Sequence, residues 1–143
     1  MEQKNLNKIL RLHRLWLGKV PEGEYADLTD ADLHGADLRD ADLRGAKLIR
    51  ANLAGVVLRS ARLMKADLSE ANLRDADLRG ADLGGADLRS ACINDAVLCG
   101  ASLRGADLSD ADLHGADLTD VDLHGADLRG AVLDGATLQN TRF

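Results

Sequence analysis

A five-residue period runs from Ala26 to Phe143 without insertion or deletion, and it excludes most of what a 143-residue chain could become. Leu28, Leu33, Leu38, Leu43 and Leu48 start a column that recurs at every fifth position. Of its 24 members 22 are Leu, with Ile93 and Phe143 as the exceptions. Ala stands two residues before each, replaced only by Val56, Val121 and Thr141. On an α-helix a step of five rotates the column by about 140° per repeat and scatters it around the axis. On an uninterrupted strand the column flips to the opposite face at each repeat. A short extended piece followed by a corner, repeated, is what keeps every Leu inside. Taking the central Leu as position i, small Ala at i−2 shares the interior, and positions i−1, i+1 and i+2 face water.

The repeated unit reads A-(D/N)-L-x-x, as in Ala31-Asp32-Leu33-His34-Gly35 and Ala36-Asp37-Leu38-Arg39-Asp40. This unbroken tandem pattern resembles the pentapeptide-repeat proteins, over residues 26–143. The resemblance implies an all-β solenoid, a right-handed quadrilateral β-helix with four pentapeptides per coil. It implies about six coils, beginning near Ala26, Ala46, Ala66, Ala86, Ala106 and Ala126. At about 4.8 Å per coil such a rod is about 29 Å long. Only 2% of the residues are aromatic, which suits a narrow stacked Leu/Ala column rather than one globular core.

Residues 1–25 do not obey the repeat and form a separate expectation, an N-terminal helical cap and turn ahead of the β-helix of residues 26–143. Leu6, Ile9, Leu10, His13, Trp16, Leu17 and Val20 recur at helical spacing, with Leu12 and Leu15 widening the stripe. Asn5 is the expected N-cap and Gly18 the stop. An uncovered first coil would expose its Leu layer and unpaired backbone groups, so the helix is expected over that end with Trp16 on the first coil. Pro21-Glu22-Gly23-Glu24 then lowers the chain into register. At position i+2 the residues alternate, Asp30, Gly35, Asp40, Gly45 and again Asp110, Gly115, Asp120, Gly125, which predicts alternating turn types at successive corners.

Charge is banded along the chain. Residues 26–143 hold 13 Lys/Arg against 21 Asp/Glu, whereas residues 1–25 carry an excess of two positive charges. Between Leu43 and Ala66 stand Arg44, Lys47, Arg50, Arg59, Arg62 and Lys65 with no acid, and the outward Ile49, Val57 and Met64 lie among them. These nine residues are the candidate partner surface. Between Gly105 and Leu128 there are seven Asp and no base. Stacked columns such as Asp42, Arg62 and Asp82 offset opposite charges at about 4.8 Å.

The sequence offers no catalytic constellation. Of His13, His34, His114 and His124, only His34 and His114 share a side, and flat convex sides give no pocket to desolvate a base. Cys92 and Cys99 fall at outward positions without disulfide or zinc spacing. Asp67, Asp87, Asp107 and Asp127 form a one-sided acidic column without the carbonyl ligands that a calcium cage needs. The expectation is a non-enzymatic structural or protein-interaction module, with no cofactor, no metal and no direct binding of nucleic acid. No segment reaches transmembrane length and the start lacks a signal-peptide pattern, so a soluble cytoplasmic protein is expected.

An alternative comes from the resemblance. The quinolone-resistance members of the family look like B-DNA in shape and charge and bind DNA gyrase. DNA carries about 17 charges over 29 Å, against a net of about −8 here, and Phe is confined to the final central position. Ending flush with the repeat at Phe143, the last coil presents unpaired edge groups, which predicts a two-fold homodimer through Gly125 to Phe143.

Overall fold

In the computed structural model, which describes residues 1–143, each pentapeptide places its five backbone N–H groups by one recurring scheme. The amide at i−2 closes a turn onto the preceding Leu carbonyl, as Ala31 N to Leu28 O at 3.1 Å. The amide at i−1 reaches the Ala carbonyl one coil earlier, as Lys47 N to Ala26 O at 3.1 Å. Those at i and i+2 donate into the following coil, as Leu28 N to Lys47 O at 2.8 Å and Asp30 N to Ile49 O at 2.9 Å. The fifth, at i+1, turns to a side chain wherever position i−1 is Asp or Asn. Every Asp or Asn at i−1 accepts it through Oδ1, as Asp67 does from Ser69 N at 3.1 Å and Asp112 from His114 N at 3.0 Å. This Asx turn is the physical reason for the D/N in the repeat, because an unpaired amide at a tight corner is costly.

The coil-to-coil register is parallel and twenty residues long on every side, as in Asp27↔Lys47, Asp32↔Asn52, Asp37↔Val57 and Asp42↔Arg62. Ladders therefore run along four faces, each contributing one bridged residue per coil. The interior is a single apolar cluster in which the i−2 and central residues from Ala26 to Leu123, apart from the partly buried Ala31 and Ala36, are fully or almost fully enclosed. Burying one such Leu contributes about 1.5–3 kcal/mol, so stability accumulates coil by coil.

All corners from Asp30 to Asn140 have positive φ at i+2, whether the residue is Gly, Asp, Arg, Ser, Lys, Glu or Asn. The expected alternation of turn types does not occur. Asp30 at 57° and Gly35 at 63° have nearly the same φ, and positive φ at this position marks the type II turn and excludes type I. The same hydrogen bonds enter and leave each corner, and they impose one geometry on all of them. The Gly/Asp rhythm reflects the two residue classes that accept αL most readily rather than two turn types.

Residues Gln3–Leu17 form helix α1, which starts earlier than expected. Glu2, not Asn5, occupies the N-cap position and makes no side-chain cap bond. The first turn is held from outside instead. The Met1 ammonium donates to Asp32 O at 2.6 Å, and Gln3 Nε2 donates to Asp37 O at 3.3 Å. Gly18 is the C-cap as expected, with Lys19 taking the positive φ. Gly23 then passes so close to the helix that a Cβ there would lie 2.1 Å from Trp16 N.

Trp16 does not cover the first coil. It is 43% exposed, and Leu6 and His13 are the α1 side chains that are fully buried. The first coil presents a free amide and a free carbonyl as well as Leu, and His13 serves both, whereas an indole can only donate. No helix is long and apolar enough to cross a membrane.

Candidate interaction surface

The outward positions fall into columns read at a spacing of twenty, and this decides which charges meet. On one face the i−1 column reads Asp42, Arg62, Asp82, Ser102, Asp122, Arg142, so each carboxylate lies between residues that are not acidic. On the neighbouring face it reads Asp37, Val57, Asp77, Val97, Asp117, Thr137, with the same alternation. Acids directly stacked at a ladder spacing repel, and both faces avoid this. Asp67, Asp87, Asp107 and Asp127 do stack, and neighbouring donors offset the repulsion. Arg89 pairs with Asp87 at 2.5 Å and approaches Asp107 at 3.9 Å, and Arg129 pairs with Asp127 at 2.5 Å. The hydroxyls of Ser69 and Ser109 donate to Asp67 and Asp107.

An Arg at i+1 clasps the Asp at i−1 of its own pentapeptide, as in Arg39–Asp37, Arg44–Asp42 and Arg79–Asp77. The Arg39 guanidinium holds the Asp37 carboxyl down at about 2. Hydrogen bonding from Arg44 likewise lowers Asp42 below the ordinary carboxylate range. Cys99 Sγ donates to Asp117 Oδ2 at 3.1 Å, and burial, reinforced by that carboxylate, pushes the thiol up to about 11. The Cys99 thiol is therefore protonated at neutral pH and a poor nucleophile. Cys92 is exposed and, like Cys99, unpaired.

The basic band does not form one patch. Lys47, Ile49 and Arg50 lie on the first side of its coil and the corner after it, whereas Val57 and Arg59 lie on the third. Arg62, Met64 and Lys65 lie on the fourth side and its corner, with Arg44 one coil earlier on that same corner. The four arginines are less available than the sequence suggests. Arg50 pairs with Asp30 at 2.8 Å, Arg59 with Asp77 at 2.5 Å, and both Arg44 and Arg62 with Asp42. That leaves Lys47, whose ammonium sits 6.0 Å from the Tyr25 ring centroid, and Lys65 outside every ion pair. Met64, beside Lys65, is 41% exposed. One coil further on, that corner carries Gly84-Gly85 and has no side chain at all.

Three shallow recesses exist, and α1 or the segment after it lines each of them. The first, of about 200 Å³, lies between Ile9, Leu12, Glu24, Tyr25 and Asp27. The others touch Gln3 and Arg39, and Trp16 and Pro21. His34, His114 and His124 stand on exposed corners. At the far end Leu138 and Phe143 are exposed, Phe143 by 63%.

A family model described as pentapeptide repeats matches residues 26–63, 66–105, 81–120 and 106–143, in 8 copies. The chain belongs to the pentapeptide-repeat family. It is similar to the pentapeptide-repeat protein Rfr23 of the cyanobacterium Cyanothece 51142, with 28% identity and a TM-score of 0.74 over 92% of this chain and 96% of that one. It is also similar to HetL of Nostoc sp. strain PCC 7120, a pentapeptide-repeat protein involved in heterocyst differentiation regulation. There the identity is 39%, the coverage 84% of this chain and 67% of that one, and the TM-score 0.44. A trypsin-treated form of QnrB1, a plasmid-mediated fluoroquinolone resistance protein, shares 21% identity at a TM-score of 0.62 over 82% of this chain and 77% of that one. That likeness is one of fold alone. Curated proteins include no sequence match. Family membership makes the architecture a right-handed β-helical solenoid.

Two functional side-chain roles escape a reading by residue type. The Asp/Asn of the pentapeptide repeat serves the backbone before it serves the surface, and the signal for this is its fixed place two residues before the corner amide. His13 is the other. It stands in the apolar stripe of α1, and only the unpaired amide and carbonyl of a first coil point to its role.

Proposed function

We propose that this pentapeptide-repeat chain is a non-catalytic, cytoplasmic interaction module, a rigid rod of about six coils capped by α1 that presents its sides to a protein partner. The observation that carries this reading is the corner where exposed Met64 and unpaired Lys65 adjoin the bare Gly84-Gly85 step. An apolar side chain and a free cation at a step in an otherwise ion-paired surface suit a partner with an acidic and apolar contact. The test is a pull-down from cells of the source organism with the wild type and a Met64→Glu/Lys65→Glu double variant. The wild type is expected to retain a discrete partner that the double variant loses at least tenfold. Equal retention by both removes this corner from the reading.

A second reading, a DNA-like inhibitor or protector of gyrase, draws on the acidic stretch from Gly105 to Leu128 and on the family. It is weakened by the net charge, about half that of an equal length of duplex, and by the basic ring at residues 44–65. The two readings part in a supercoiling assay. Micromolar protein is expected to leave gyrase activity unchanged, and clear inhibition would put the mimic first.

A further inference from the structure

His13 is the only polar residue buried completely. Its Nδ1 accepts the Ala26 amide at 3.1 Å, and its Nε2 lies 3.1 Å from the Arg44 carbonyl. An amide can only donate and a carbonyl can only accept, so the ring is neutral with its proton on Nε2. Both nitrogens are thus committed to the first coil, from opposite ends of its circuit. The ring is stacked on Trp16 at 5.6 Å and 11° and meets the edge of Tyr25 at 5.8 Å.

The charged groups facing it from the coil are the Asp42 carboxylate, which favours a cation, and the Arg44 guanidinium, which opposes one. These two neutralise each other in an ion pair of 2.7 Å. The Tyr25 phenol stays neutral, since burial raises it, and donates to Gly45 O at 2.6 Å. On α1 the neighbouring charge is Arg14, in the last turn. A second proton on the ring has only Nδ1 to occupy, where it would point at the Ala26 N–H.

We propose that His13 is an acid-released latch: protonation of Nδ1 breaks its bond to Ala26 and frees α1 from the end of the first coil, while the coils stay folded. Burial depresses the ring below its ordinary value of 6.5. For a group lowered in the folded state, the docking free energy is whole above about pH 6.5. It declines as pH falls below that value and is lost once pH passes the folded-state pKa. Two carboxylates of the first coil, Asp42 and Asp37, are held low by Arg44 and Arg39 and do not compete. Release also removes the Met1 and Gln3 donors from Asp32 O and Asp37 O, and it withdraws Leu6 from the apolar column.

Trp16 is the single Trp and stacks on this ring, so its emission reports the latch in the full chain. From about pH 8 down to about pH 4.5 a sigmoidal emission shift is expected, with its midpoint below the ordinary histidine value. Helical ellipticity should fall with it, since a freed 15-residue helix is marginal in water, while the β signal persists. His13→Gln supplies one acceptor and one donor and does not titrate, so its emission should stay flat. In the wild type, protection of the Ala26 amide, its exchange rate relative to the intrinsic rate at each pH, should fall across the same window. Three results would each overturn the latch: flat wild-type emission, a transition that persists in His13→Gln, or an Ala26 amide that stays protected through it.

Discussion

Replacing Leu78 with Asp is expected to abolish the β-type far-UV circular dichroism at room temperature. Leu78 is 1% exposed, and the twenty-residue register places it between Leu58 and Leu98 in the apolar column. Removing the Leu side chain costs about 2–5 kcal/mol in transfer and cavity terms. An unpaired carboxylate in that place adds several kcal/mol more, because no base reaches the interior of the coil. A domain with about 5–15 kcal/mol of total stability does not absorb both. Leu78→Met, nearly the same volume and still apolar, should cost less than about 1.5 kcal/mol and serves as the control. A Leu78→Asp protein that melts like the wild type would contradict the stacked interior.

The second large effect is expected at a corner. Gly115 has a φ of +67°, and a Cβ there would meet Asp95 Oδ1 at 2.4 Å. Gly115→Val must hold a β-branched residue in the left-handed region, at a cost of about 2–3 kcal/mol. Gly115→Asn places its Cβ against the same carboxylate, which can rotate aside, yet Asn tolerates αL. The Asn variant should therefore lose well under half as much in a urea titration. Equal losses would assign the effect to the Asp95 contact and not to backbone conformation.

The architecture was legible because a five-residue column has few ways to stay buried, and the D/N-L spacing fixes both the turn and the ladder. The corner chemistry was not. Arg50 at 53° and Glu70 at 58° adopt positive φ against their local preference, since the hydrogen bonds of adjacent coils impose it. The helix start was displaced from Asn5 to Glu2 by a similar long-range cause, the reach of Met1 and Gln3 to first-coil carbonyls. Trp16 was the natural choice for a cover by size, but a coil end asks for hydrogen bonds as well as area, and His13 provides them. The basic band misled for a geometric reason. Residues 43–66 make slightly more than one circuit, so neighbours in sequence become a ring, and only residues twenty apart share a face.

The alternation of acidic and non-acidic positions has a consequence for how such a rod can change length. The i−1 residues of coils 26–45, 66–85 and 106–125 are all Asp or Asn, and those of the coils between are mostly not. Excising residues 86–105 would keep the backbone ladder intact but set Asp77 against Asp117 and Asp82 against Asp122. Two more face-to-face repulsions then arise where a valine and a serine now intervene. Excising two adjacent coils restores the alternation on both faces. The backbone repeats every coil, but the electrostatics repeat every second one, so gain or loss of chain by duplication is tolerated most readily in blocks of forty residues, twice the ladder register.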